Sequence, residues 1–260
     1  MTRSLLKYSF VVILITTSTP LNVFAAGTSE DHHIISVGAG IASPSTTSSV
    51  SENPAGLVYN QNLKLLGFGY TENSSPGITD GGGAFLIGNG SVGGGAKVET
   101  SSGTSNLTAG IGFDISSINT AFGAACGTQL GPKVSINCSD FGLIYNPAGN
   151  TRFGFDIQTS GNALLGTGLT HDLTQDVTID LDAGIPTSGG GVTLKPGVVI
   201  HTQVVQVALG YGFNASSSGS AGNIRTGFSA GLGVTLNKTF QIESYYNQLH
   251  NYFFGLVAHF

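Results

Sequence analysis

The 260-residue chain has no tryptophan, one methionine and two cysteines, and Asp, Glu, Lys and Arg together make up only 9% of it. An ordinary soluble domain carries about 25% charged residues. A water-facing surface of normal polarity cannot be covered with so few. No cluster of Lys or Arg is present and the formal charge is −5, which removes nucleic acid as a partner. Beyond residue 25 no run of apolar residues approaches the length of a membrane-spanning helix. Neither cysteine has a nearby histidine or a metal-ligand spacing, so thiol catalysis and zinc binding are poor readings.

What the chain does have is glycine, 40 residues of it, and an apolar content spread thinly along its length. Its first residues set the compartment. Arg3 and Lys7 precede an apolar run from Tyr8 to Ile15, Pro20 breaks it, and Val23-Phe24-Ala25 offers small residues to a signal peptidase. This pattern predicts a secretory signal peptide over 1–25, cut after Ala25 or Ala26. Removing Arg3 and Lys7 leaves 7 basic against 14 acidic residues, a mature charge of −7. An exported chain that is apolar on average but lacks apolar runs points to a β-barrel in the outer membrane, reached through the periplasm.

From Leu63 onward, apolar residues alternate with small or polar ones. Ile224, Thr226, Phe228, Ala230, Leu232, Val234 and Leu236 interleave with Arg225, Gly227, Ser229, Gly231, Gly233 and Thr235. A strand places two such sets on opposite faces. The periodicity predicts an all-β, antiparallel up-and-down barrel of about 14 strands, with 12 as the alternative. The expected spans are 62–72, 82–88, 92–99, 105–113, 117–126, 134–145, 151–159, 163–171, 176–184, 193–201, 204–213, 224–235, 239–247 and 251–260. Strands of that length suit an apolar band about 25 Å tall. Connections after odd strands are mostly long and those after even strands mostly tight, the asymmetry of outer-membrane barrels. A parity shift within 134–145 predicts a bulge.

The cost of charge in lipid chooses the faces. A Lys or Arg facing mid-bilayer costs roughly 2–4 kcal/mol. Lys97, Glu99, Arg152, Asp156, Asp180, Asp182, Lys195, Arg225 and Glu243 all share the parity of the glycines, so that face is expected to line the lumen. Cys126 and Cys138, with eleven residues between them, are expected to form a disulfide across one hairpin. Closing a loop of that size contributes about 2–3 kcal/mol.

Two resemblances extend this reading. Tyr252, Phe254, Leu256, Ala258 and Phe260 alternate to the last residue and resemble the C-terminal signature through which assembly machinery recognises outer-membrane barrels. Between the signal peptide and the first strand lie Gly38, Gly40 and Ala42, then Asn53-Pro54-Ala55-Gly56. This segment resembles the start of the FadL/TodX family of outer-membrane transporters for long-chain fatty acids and aromatic hydrocarbons. It is also similar to the opening of PorV-like barrels. The resemblance implies that residues 26–61 fold as a hatch inside a barrel formed by 62–260. The chain is much shorter than those transporters and lacks their long helical outer loops.

Other patterns are declined. Gly227-Phe228-Ser229-Ala230-Gly231 matches a nucleophile elbow, but that chemistry needs a strand-to-helix turn rather than a continuous strand. Gly38-Ala39-Gly40 lacks the third glycine of a nucleotide fold. Asp180 and Asp182 could form a carboxylate pair but read as pore lining, and His32 and His33 fall in a flexible terminus. Pro196 interrupts a strand, which predicts a bulge or a kink that opens the wall. No enzyme, cofactor or metal is expected. The function expected is passive passage of small hydrophobic or amphipathic molecules, fatty acid-like among them. The alternative is a structural barrel that binds a partner protein.

Overall fold

The computed structural model describes residues 41–42, 44, 48–60, 62–71, 80–101, 103–132, 135–159, 164–186, 192–214, 227–247 and 252–260. The signal peptide, Gly38, Gly40, His32, His33 and Arg225 lie outside the described residues.

Fourteen strands close into one antiparallel barrel in which each strand pairs with its neighbours in sequence and the last with the first. They are β1 Asn62–Thr71, β2 Asp80–Gly88, β3 Val92–Ser101, β4 Thr104–Ile115, β5 Thr120–Leu130, β6 Asn137–Tyr145 and β7 Thr151–Gln158. The second half comprises β8 Leu164–Asp172, β9 Val177–Pro186, β10 Thr193–His201, β11 Val205–Asn214, β12 Gly227–Thr235, β13 Phe240–Asn247 and β14 Tyr252–His259. Closure runs from Lys64 opposite His259 to Thr71 opposite Tyr252, and the Phe260 amide donates to the Leu63 carbonyl at 2.9 Å. No sheet edge is left, so the ladder pairs the backbone polar groups that hydrocarbon could not.

Short connections follow the even strands, which marks that end as periplasmic in an outer-membrane barrel. Side-chain oxygens hold several of them in place. Asn89 accepts from the Ser91 and Val92 amides at 3.0 and 2.9 Å, and Asn237 from those of Thr239 and Phe240 at 2.8 and 2.9 Å. Asx side chains turn a backbone this way without help from neighbouring strands. The turn between β4 and β5 falls later than the sequence suggests. A 3-10 turn Ser116–Ile118 is closed by Asn119 in the left-handed region (φ 52°), so β4 runs on to Ile115 and β5 starts at Thr120 rather than 117.

The expected bulge in β6 is at Ser139. Ala125 pairs with Asp140 and Cys126 with Cys138, which leaves Ser139 without a partner on β5. Cys126 and Cys138 are directly opposite and joined by a disulfide, with Cα atoms 3.9 Å apart. Pro196 differs from expectation. The β10–β9 ladder runs through it unbroken, and β10–β11 keeps one register from Leu194/Phe213 to Gly197/Gly210, so there is no bulge. Instead Lys195 and Pro196 have no partners on β11, because proline has no amide hydrogen to give the ladder.

Large apolar side chains point outward along most of the wall, among them Phe85, Phe113, Phe141, Phe155, Leu181, Tyr211 and Leu232. On a soluble protein such a continuous belt would be a severe aggregation liability. Around a closed barrel it is the lipid-facing surface. β1 departs from the simple rule of glycine inside and grease outside. Gly67 and Gly69 lie on its outer face, while Leu66 and Tyr70 are buried and Phe68 packs beside them in the lumen.

Candidate functional site

The interior is occupied by the chain that precedes β1. A single helical turn, Ser48–Ser51, leads to a 3-10 helix, Pro54–Tyr59. Asn53 caps that helix: its side-chain oxygen accepts from the Ala55 amide at 3.1 Å, and Pro54 at the first position needs no partner for its nitrogen. The Gly56 amide closes the turn on the Asn53 carbonyl at 2.9 Å. Asn53, Ala55, Leu57 and Val58 are wholly buried.

The inner face of the wall is fitted to this segment glycine by glycine. A Cβ at Gly93 would fall on the Leu57 backbone, at Gly123 on Pro54, at Gly142 on the Asn53 side chain, and at Gly154 on the Ile41 backbone. At Gly112 it would stand 2.8 Å from the Pro54 carbonyl oxygen. These glycines come from β3, β4, β5, β6 and β7, each a few residues above the short-turn end. Together they make a track that lets a backbone lie directly against the strands. Glycine is needed here for close approach, since any side chain would hold the segment off the wall.

Two apolar clusters and a few hydrogen bonds fix the segment. Val50 and Leu57 pack with Leu66, Ala84, Leu86 and Val257, and Ala55 and Val58 pack with Ala121 and Ile144. Full burial of one Leu or Val side chain contributes about 1.5–3 kcal/mol. Asn53 Nδ2 donates to the Ile41 carbonyl at 2.6 Å, tying the two ends of the segment to each other. The wall holds it at two charged residues. Lys64 on β1 donates to Asn60 Oδ1 at 3.0 Å, and Asp182 on β9 accepts from the Ile41 amide at 3.1 Å. Among the described residues the β1–β6 side grips through packing, whereas the β7–β9 side touches mainly Ile41 and Ala42.

The lumen-parity charges lie as follows. Lys97 and Glu99 form a buried ion pair at 2.9 Å on β3. Arg152 reaches Asp172 at 3.5 Å near the short-turn end. Asp180 accepts from the Thr170 hydroxyl at 2.5 Å, and Glu243 from Tyr245 at 3.3 Å and Gln241 at 3.2 Å. Asp156 is buried with its Oδ1 unpartnered among the described residues. Asp182 and Lys195 face each other across β9 and β10. Below the inner segment a cavity of about 580 Å³ opens at the short-turn end, lined by Arg152, Asp172, Thr178, Val199 and His201.

Of the C-terminal residues, Tyr252, Phe254, Leu256 and Phe260 are all exposed on the outside of the wall. The Ser229 of the nucleophile-elbow pattern sits within β12, as a strand residue. Asp180 and Asp182 share the inner face of β9.

Two features of this interior are absent from the sequence reading. Lys64 and Asn60 form the second clamp, and the lumen beside β1 is aromatic rather than lined by small residues. Phe68 and Phe253 stack with ring centroids 5.5 Å apart, and Tyr245 meets Phe253 at 5.4 Å. Lys64 carried the missing signal. It shares the parity of Leu66, Phe68 and Tyr70, and a lysine cannot face lipid at that depth without cost.

No protein-family model matches the chain, and no curated protein is similar to it in sequence. Solved structures share its fold. The toluene transporter TodX of Pseudomonas putida superposes with a TM-score of 0.57 at 13% identity, over 87% of this chain and 95% of that one. A bacterial polysaccharide outer membrane secretin gives 0.49 at 10% identity, over 77% and 99%. A mutant of the Rhodopseudomonas blastica porin gives 0.47 at 9%, over 76% and 98%. The chain thus has the fold of an outer-membrane β-barrel, with residues 48–60 seated inside it.

Proposed function

We propose that this protein is a passive outer-membrane channel of the FadL type, in which the segment ending at Asn60 is a displaceable hatch. The molecules it passes are small and hydrophobic or amphipathic, long-chain fatty acid-like compounds among them. The observation that carries this reading is the glycine track. A barrel that needed a permanent core could fill these positions with side chains, as small barrels do. This one strips them from five consecutive strands and seats a separate segment there. The aromatic surface of β1, β13 and β14 offers apolar contact to a guest above the segment. The fold shared with TodX, whose structure is that of a toluene transporter, supports the same reading.

The test is entry of a labelled long-chain fatty acid, and of toluene, into vesicles with a lipopolysaccharide outer leaflet, which slows unaided entry of apolar solutes. The full-length protein should accelerate one or both relative to empty vesicles. If neither is accelerated, and a hatch-displaced variant also passes no ions, the barrel is a closed scaffold for a partner protein instead.

A further inference from the structure

The lumen wall is divided by chemistry. On β1, β2, β13 and β14 the inner face presents Leu66, Phe68, Tyr70, Leu86, Tyr245 and Phe253, with Lys64, Asp80 and Glu243 as its charged members. In a ring of fourteen strands β8 stands opposite β1. There, on β6–β10, the inward positions carry Asp140, Asp156, Asp172, Asp180 and Asp182 against Arg152 and Lys195, a formal excess of three acids over bases.

These carboxylates form a descending series. Asp156 on β7 lies across Gly166 from the level of Gly184. Asp182 is the next inward residue of β9 below Gly184, and Asp180 the next below that. Asp172 pairs with Thr178 at the short-turn end, beside the 580 Å³ cavity. The series passes the inner segment at Ile41, on the side where packing holds that segment least.

A second observation concerns unmet hydrogen bonds. Among the described residues the buried side-chain atoms without a partner are Asp156 Oδ1, Asp180 Oδ2, Thr193 Oγ1 and Arg152 Nε. Three of the four are oxygens, and all lie on the inner face of β7–β10. Asp156 is 2% exposed, Asp180 7% and Thr193 1%. Buried acceptors left unpaired destabilise the wall, and a donor arriving in the lumen relieves that cost.

We infer that the channel selects cationic amphiphiles: a guest with an aromatic or alkyl body that runs along the β1 face and an ammonium or similar donor head that steps down the β6–β9 carboxylates. This inference rests on the channel reading and narrows it. A carboxylate head of the same chain length would meet net negative charge in a narrow, poorly screened lumen. Charge of one sign along a low-dielectric cleft raises the local concentration of the opposite ion by roughly tenfold or more. The carboxylates nearest the segment give the cation a path past Ile41, which among the described residues is held by Asp182, by Asn53 and by close packing on Gly154, Gly166 and Gly168.

The experiment uses the full-length protein and its Gly142→Leu variant in planar bilayers under a potassium chloride gradient. In parallel, vesicles are tested for entry of dodecylammonium and of dodecanoate. The expected result is a current carried mainly by potassium and entry of the amine several-fold faster than the carboxylate. Both preferences should shrink toward unity in Asp156→Asn/Asp180→Asn, and by part of that in Asp156→Asn alone, with heat-modifiable migration on gels showing that the barrels are folded. Equal or chloride-favouring permeation, faster entry of dodecanoate, or asparagine variants that keep the full cation preference would overturn the inference while leaving a channel. Absence of both ion current and amphiphile entry in the Gly142→Leu protein would remove the channel reading itself, and the selectivity with it.

Discussion

Gly142→Leu is expected to open the barrel without unfolding it. A side chain at 142 must occupy the space of the Asn53 amide, and Asn53 is what ties the Ile41 carbonyl to the cap of the 3-10 helix. Overpacking of this kind costs about 1–3 kcal/mol, and loss of the Ile41 hydrogen bond about 0.5–1.5 kcal/mol more. At 1.4 kcal/mol per tenfold, the seated state loses roughly a hundredfold against the displaced one. The barrel ladder is untouched, because Gly142 keeps its backbone pairs with Gly123 and Asp156. Single-channel conductance should rise sharply over the wild type. Gly67→Leu is the control: it faces outward with nothing within 4 Å of an added Cβ, and should conduct like the wild type. Equal conductance in all three proteins would mean that the inner segment is not the barrier. Asn53→Ala should move conductance in the same direction as Gly142→Leu by a smaller step.

The second large effect concerns the outer face. Leu181 lies mid-strand in β9 with its side chain exposed, opposite Leu169 on β8 and Pro196 on β10. Arginine there would face the bilayer centre, and the barrel should lose about 2–4 kcal/mol. Leu236, in the short turn after β12, is as exposed as Leu181 but sits at the membrane rim. Its replacement by arginine should cost no more than about 1 kcal/mol. Reversible unfolding in phospholipid vesicles measures both. A soluble sheet would treat the two substitutions alike, since arginine on a wetted surface is nearly free. The difference between the two sites therefore reports depth in lipid, which neither exposure nor propensity explains.

Much of the architecture was legible because a barrel is simple in one dimension. Period-two alternation locates each strand, and the parity of Lys97, Glu99, Asp156 and Asp180 tells inside from outside without any tertiary information. The parity break within 134–145 announced a bulge for the same reason, and the ladder places it at Ser139. β1 was harder. Asn-Leu-Lys-Leu-Leu-Gly-Phe-Gly-Tyr-Thr carries apolar residues on both parities, so alternation alone cannot place Phe68 and Tyr70 in the lumen. The inner segment shows the sharper limit. A glycine on the lumen face reads the same whether it lines an open pore or admits a backbone, and only the position of Leu57, Pro54, Asn53 and Ile41 against Gly93, Gly123, Gly142 and Gly154 distinguishes them. Likewise the clamps from Lys64 to Asn60 and from Asp182 to Ile41 join residues whose pairing depends on how the segment crosses the ring. Composition says that a lumen is small and polar. It does not say that aromatic side chains gather on β1, β13 and β14, or that acids outnumber bases on β6–β10.

The described contacts of the inner segment are unevenly spread around the wall. Its described apolar contacts on the β1–β6 side are those of a small core, whereas on β7–β9 the described contacts are Ile41 and Ala42 against three glycines, the Ile41 amide on Asp182 and Asn53 on the Phe155 carbonyl. A segment anchored at one side and lightly held at the other swings at the lightly held side, because that motion breaks the fewest contacts. The carboxylate series and the cavity lined by Arg152 and His201 lie on that same side.

The barrel is stable only with hydrocarbon as the solvent of its outer face, and sedimentation of the protein lacking residues 1–25 tests that most directly. Refolded into detergent, it should sediment as a protein–detergent particle holding one β-rich chain. Without detergent it should yield no folded monomer. A stable, β-rich monomer in plain buffer would show that Phe85, Phe155, Leu181 and Tyr211 tolerate water, and would contradict the transmembrane barrel outright.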